Sequence, residues 1–146
     1  MTQSSKVLRP NHTYTVELRF TGDDLVPAEI TQRMNLQPSN SSELVSVIGV
    51  RKRRPFWAYN GHGEEGFQSE WRSLDEGLAF LVRRLSPLRT TVVDLSRKFS
   101  GLWWCGHFQI SFDGGPTLSP AVLAAIATFE LPLTIDNYFS DQSSDA

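Results

Sequence analysis

The sequence predicts an α+β domain: a mostly antiparallel sheet with helices packed on one face, built from duplicated β-α units in a ferredoxin-like or related sandwich. Three observations predict it. A pattern of apolar strand, Phe-x-Gly and Pro-Ala helix start occurs twice, as Phe20-Thr21-Gly22 before Pro27-Ala28 and as Phe112-Asp113-Gly114 before Pro120-Ala121. Several stretches alternate apolar and polar residues, the signature of a strand with one packed and one wet face. Between the two copies lie further strand and helix signals, giving the order β-α-β-β-α-α-β-α-β.

Each element has its own reason. Residues 1–11 are polar and aperiodic and read as a loose arm. Tyr14, Val16, Leu18 and Phe20 alternate with Thr13, Thr15, Glu17 and Arg19, which is a strand. Gly22-Asp23-Asp24 turns the chain, and Pro27 suits the first helical position, with Val26, Ile30 and Met34 as the buried stripe. Gln37–Ser42 reads as loop. Two short apolar runs, Leu44–Val50 and Phe56–Tyr59, read as a hairpin or two adjacent strands with the basic run Arg51-Lys52-Arg53-Arg54 between them.

Asn60–Gly66 is loop, and Ser73-Leu74-Asp75-Glu76 has the spacing of a capping box. Leu74, Leu78, Leu81, Val82 and Leu85 then draw one helical stripe. Residues 87–98 carry Leu88, Val92, Leu95 and Phe99 at helical spacing, against a β-branched Thr90–Val93 run; helix is favoured. Leu102–Phe112 reads as a long strand, with Trp104, Phe108, Ile110 and Phe112 on one face and Trp103, Cys105, His107, Gln109 and Ser111 on the other. Ser119 caps a helix begun by Pro120, with Leu118 stapled to Leu123 and with Val122, Leu123 and Ile126 inward. Leu131, Leu133 and Ile135 form the inner face of a last strand, Thr134, Asp136 and Tyr138 its outer face, and residues 140–146 a frayed acidic tail. Residues 12–139 are thus expected to form a single domain.

Composition narrows the function. At 146 residues the chain buries roughly 70% of its unfolded surface without staples. The net charge of −2 argues against a general nucleic-acid binder. Cys105 is the only cysteine, and Met1–Lys6 contain no apolar segment, so a cytoplasmic location is expected. His12, His62, His107 and Cys105 show no paired ligand spacing, and neither metal nor cofactor is expected. Gly61-x-Gly63-x-x-Gly66 has a nucleotide-loop spacing but follows no strand.

The polar sheet face is the candidate site. By parity it gathers Glu17, Arg19, Trp103, His107, Gln109, Asp136 and Tyr138. His107 with Asp136 and Glu17 could support hydrolysis or hold a small molecule. A wet sheet face must carry polar residues in any case, so no catalytic residue is assigned. Cys105 and His107, two apart on a strand, lie ~6.5–7 Å apart and do not form a nucleophilic pair. Arg51, Lys52, Arg53 and Arg54 beside Phe56, Trp57 and Tyr59 combine phosphate-binding charge with stacking rings, an alternative RNA contact. In an acidic chain the same charges more often mark a solvated turn or blunt an edge strand, and an acidic protein partner fits them as well as RNA does.

Phe20-x-Gly22, Pro27-x-x-Ile30-Thr31, Leu36-x-Pro38-Ser39, Trp57, the capped helix with Leu78, Leu81 and Leu85, and Leu133-x-Ile135-Asp136-x-Tyr138 together resemble the domain of unknown function 4279 family. The resemblance spans residues 13–139. It implies a small bacterial-type globular domain and no reaction. The reading that follows is a non-enzymatic domain engaging a protein partner, of immunity or accessory type, through its polar sheet face. No membrane partner is expected, and nucleic acid is disfavoured.

Overall fold

The computed structural model describes residues 10–43 and 54–140. The N-terminal arm to residue 9, the Leu44–Val50 run, Arg51, Lys52, Arg53 and the tail from residue 141 lie outside the described residues.

The described elements are β1 (His12–Thr21), α1 (Pro27–Met34), β2 (Asn40–Ser42), β3 (Phe56–Tyr59), α2 (Leu74–Leu85), a 3₁₀ turn (Ser86–Leu88), α3 (Arg89–Lys98), β4 (Ser100–Gln109), α4 (Pro120–Ala127) and β5 (Leu133–Phe139); all but β2 fall where the sequence places an element of the same type. The strands form one sheet in the order β2-β3-β1-β4-β5. Every described neighbour pair is antiparallel except β4 with β5. The protein is therefore α+β with a mostly antiparallel sheet.

The helices share one side. Tyr14, Val16, Leu18 and Phe20 of β1 are buried there with Trp57 and Tyr59 of β3 and Trp103 and Cys105 of β4. Ile30 and Met34 of α1, the Leu78–Leu81–Leu85 stripe of α2, Val92 and Leu95 of α3, and Val122 and Ile126 of α4 complete the same cluster. Two indole N–H groups tie sheet to helices: Trp57 Nε1 donates to Thr31 Oγ1 at 3.0 Å, and Trp103 Nε1 to the Ile126 carbonyl at 3.4 Å. Ser73 Oγ accepts from the Glu76 N–H and Ser119 Oγ from the Val122 N–H, so both cap assignments hold. The neighbouring Asp75 carboxylate accepts from the Ser119 N–H at 2.7 Å, joining the starts of α2 and α4.

Local expectations fail in informative places. Asn40–Ser42, expected as loop, pairs with β3, so Phe56–Tyr59 lies between β2 and β1 and is not an edge. By contrast, the helix favoured over residues 87–98 does form, as α3 behind the 3₁₀ turn, because Val92 and Leu95 find the core at helical spacing. β4 ends at Gln109, not Phe112. Phe112 is 80% exposed whereas Phe20 is fully buried, so the two Phe-x-Gly phenylalanines are not equivalent. Val26 and Leu123 are also exposed, each one step off the stripe that α1 and α4 bury.

Candidate functional site

Strand β4 decides which residues share a face. Its register on β1 sets Leu18 opposite Trp103, Val16 opposite Cys105 and Tyr14 opposite His107. On the other side, Leu133 meets Trp103, Ile135 meets Cys105 and Asn137 meets His107. Directly opposed residues point the same way. Trp103, Cys105 and His107 are therefore on the helix side with the apolar rows of β1 and β5. The expected grouping of Trp103, His107 and Gln109 with Glu17, Arg19, Asp136 and Tyr138 is corrected: the first three belong to the opposite parity. The cause is that β4 is rich in apolar residues on both faces. Its own alternation favours the row Trp104, Phe108 and Ile110 for the core, but pairing with β1 and β5 selects the other row.

The outer face keeps Glu17, Arg19, Asp136 and Tyr138, joined by Trp104 and Phe108, which sequence parity had placed inside. No described helix packs on it. Arg19 Nε donates to Glu17 Oε2 at 2.8 Å, and the Arg19 guanidinium lies 4.5 Å from the centre of the Trp104 ring. The Trp104 indole N–H in turn donates to Asp136 Oδ2 at 2.7 Å. Phe108 and Tyr138 stack at 5.0 Å and 14°, and both are exposed. Gly106 sits between Trp104 and Phe108, and a β-carbon there would fall 2.6 Å from Thr15 Oγ1 and 2.9 Å from the Phe108 ring. Glycine is thus what lets the two aromatic groups close over the middle of the strand.

Two hollows flank this row. One, of about 220 Å³, lies between Glu17, Arg19, Asn40, Arg54 and Phe56. The other, of about 280 Å³, lies at the opposite end, where Thr13, Phe108 and Tyr138 meet Glu70, Gln109 and Phe139.

His107 occupies a different environment. It is 3% exposed, with His12 stacked at 5.0 Å and Tyr14 at 4.8 Å. Its Nε2 is 2.8 Å from His12 Nδ1, and its Nδ1 is 2.7 Å from Asn137 Oδ1. His12 Nε2 lies 2.6 Å from the Asp113 carbonyl, which can only accept, so His12 carries a proton on Nε2. One more proton must lie between the two rings. With Asn137 Oδ1 against His107 a third is needed, and the pair then bears one positive charge. Turning the Asn137 amide, an assignment set by the hydrogen-bond network, makes the pair neutral. In either state both His107 nitrogens are engaged within the protein, leaving none to take a proton from a substrate. Burial also raises Tyr14 above its ordinary value of 10.0.

Cys105, on the same inner row, is fully buried, and burial pushes its thiol up to about 12, with the Glu17 carboxylate adding to the shift. A thiol held neutral in this way is a poor nucleophile. No group of three or more His, Cys, Asp or Glu suited to a metal occurs among the described residues. In the basic segment, Arg54 Nε contacts Asp23 Oδ1 at 3.1 Å, while Trp57 is fully buried and Tyr59 nearly so. Of the three rings expected as stacking platforms there, Trp57 and Tyr59 are core residues and only Phe56 is half-buried.

His12 is the participant that sequence reasoning missed. It continues the Tyr14–Phe20 row by one step, but its contact with His107 spans 95 residues and depends on the β1–β4 register.

The chain belongs to the family described as Domain of unknown function (DUF4279), which matches residues 12–140. No curated protein and no solved structure matches it.

Proposed function

We propose that this member of the domain of unknown function 4279 family is a binding module that engages a protein partner through the outer face of its sheet, in an accessory or immunity-type role. The observation that carries the reading is the composition of that face. Trp104, Phe108 and Tyr138 form an aromatic row alongside Glu17, Arg19 and Asp136, on the side that no described helix covers. Aromatic residues and arginine are the types enriched where proteins meet. The pairing of each polar group with a ring or an opposite charge presents a rigid surface, which lowers the ordering cost of association.

The finer architecture belongs to the same reading. The strand order β2-β3-β1-β4 supports a ferredoxin-like frame to which α4 and β5 add a parallel strand. The two Pro-initiated helices α1 and α4, both on the core side of the sheet, support a duplicated β-α plan. A cytoplasmic setting fits a chain whose one cysteine is buried as a neutral thiol. No described helix is long and apolar enough to cross a membrane.

The test is a titration of the isotope-labelled domain with the purified products of neighbouring genes. The expected result is saturable amide shifts centred on Glu17, Trp104, Asp136 and Tyr138, lost in Trp104→Ala. Shifts centred on the helical side overturn the reading. So does robust phosphatase, esterase or nuclease turnover that disappears in a folded His107→Asn variant, which restores a site around His107.

A further inference from the structure

The outer face already contains one occupied cation site built from its own residues. There the Arg19 guanidinium lies over the Trp104 ring and is held from the side by the Glu17 carboxylate. A ring supplies a negative π-face, a carboxylate supplies charge and a hydrogen-bond acceptor, and the planar guanidinium satisfies both at once.

The 280 Å³ cleft at the far end of the same face repeats two of these three parts. Phe108 and Tyr138 provide stacked, exposed rings. Glu70, an exposed residue, is the one acidic side chain among the described residues that line the cleft. No Lys or Arg lines it among the described residues. Glu70 is placed by backbone pairing: the next residue, Trp71, exchanges two 2.7 Å hydrogen bonds with Tyr14 of β1. Thr13, opposite Phe108, adds a polar group at the rim.

We propose that this cleft receives an arginine side chain of the partner protein. The inference rests on the outer-face reading above and names the chemistry of what docks there. The guanidinium lies against the Phe108–Tyr138 stack and pairs with Glu70, as Arg19 lies against Trp104 and pairs with Glu17. A neutral apolar side chain of equal length leaves the carboxylate unanswered. A lysine supplies the charge but not the planar surface for stacking.

The probes are blocked tripeptides with a central arginine, lysine or norleucine, titrated onto the isotope-labelled full chain. The arginine peptide is expected to give saturable shifts at Thr13, Glu70, Phe108 and Tyr138 in the ~1–30 mM range. Norleucine gives none in that range. Glu70→Gln and Phe108→Ala each weaken arginine binding about three- to fivefold, the size of one exposed cation–π or charge contact. Leu123→Ala, at an exposed position of α4 on the helical side, leaves it unchanged, which controls for loose contact of the peptide elsewhere on the chain. Equal binding of norleucine, or no saturable shift at the cleft, overturns the proposal. Binding that emerges only in Arg9→Gln also overturns it, since the cation site then belongs to the chain itself. If the natural partner docks on the helical side while the cleft still selects arginine, the outer-face reading fails and the cleft chemistry stands. A partner that shifts Trp104 and Asp136 and is insensitive to Glu70→Gln gives the reverse.

Discussion

At position 107 an imidazole is held at both nitrogens, by Asn137 and His12, and packs against the rings of His12 and Tyr14. Removing it leaves His12 Nδ1 without its partner and opens a void in the inner row. His107→Ala is expected to cost about 2–4 kcal/mol, from an orphaned polar group plus a cavity. Urea melts decide it, and a loss below ~0.5 kcal/mol returns His107 to the solvent side. Cys105, two residues away, gives a pH test. Its thiol titrates near 12 in the folded chain against an ordinary 9.0. Below pH 9 both states are protonated and the full stability is present. As pH rises from 9 toward 12, the unfolded chain loses this proton first, so stability falls by up to about 1.4 kcal/mol per unit. Tyr14 and Tyr59, both raised by burial, add losses of the same sign at higher pH. Denaturation at pH 8 and pH 10.5 should show a smaller fall for Cys105→Ala than for the natural chain, although the variant is less stable at both. Equal falls would mean that the thiol titrates normally.

Elements were legible where one local signal had no rival. Ser73 before the Leu78–Leu81–Leu85 stripe gives both the start and the buried face of α2, and Ser119-Pro120 gives the start of α4. The element that misled was β4, because an apolar row runs along each of its faces and nothing within the strand says which is inside. That information sits in the register with β1 and β5, a long-range property. The three-residue β2 was equally hidden, since Asn40-Ser41-Ser42 carries turn chemistry and is a strand only because β3 lies beside it. Helix stripes can be tested in pairs. Leu81 is fully buried and Leu123 is 48% exposed, though sequence spacing placed both inside. Leu81→Ala is expected to cost about 2–5 kcal/mol and Leu123→Ala under ~1 kcal/mol. Similar losses for the two would show that α4 buries a wider face than Val122 and Ile126.

At the scale of the whole molecule the sheet divides two jobs. Its inner side, under four helices, holds Trp57, Trp103, Phe20 and Phe129 fully buried and supplies the stability. Its outer side holds Trp104, paired with Arg19 and Asp136, and the stacked, exposed Phe108 and Tyr138, the composition on which the proposed binding role rests. The family and the α+β class could be read from short motifs and alternation, because those depend on neighbours in sequence. The composition of the candidate site could not, because it depends on which side of the sheet each row of β4 takes. Trp103 and Trp104, adjacent in sequence and opposite in direction, put that division to a direct test. Trp103 packs edge-on against Phe129 and donates to the Ile126 carbonyl, so Trp103→Ala is expected to cost about 3–5 kcal/mol. Trp104 carries Arg19 on one face and donates to Asp136 at the surface, and Trp104→Ala is expected to cost under ~2 kcal/mol because water can replace the exposed contacts. Thermal and urea unfolding of both variants measure the pair. A Trp104→Ala loss that equals or exceeds that of Trp103→Ala would exchange the two faces, carrying the aromatic row into the core and leaving the arginine cleft without its surface.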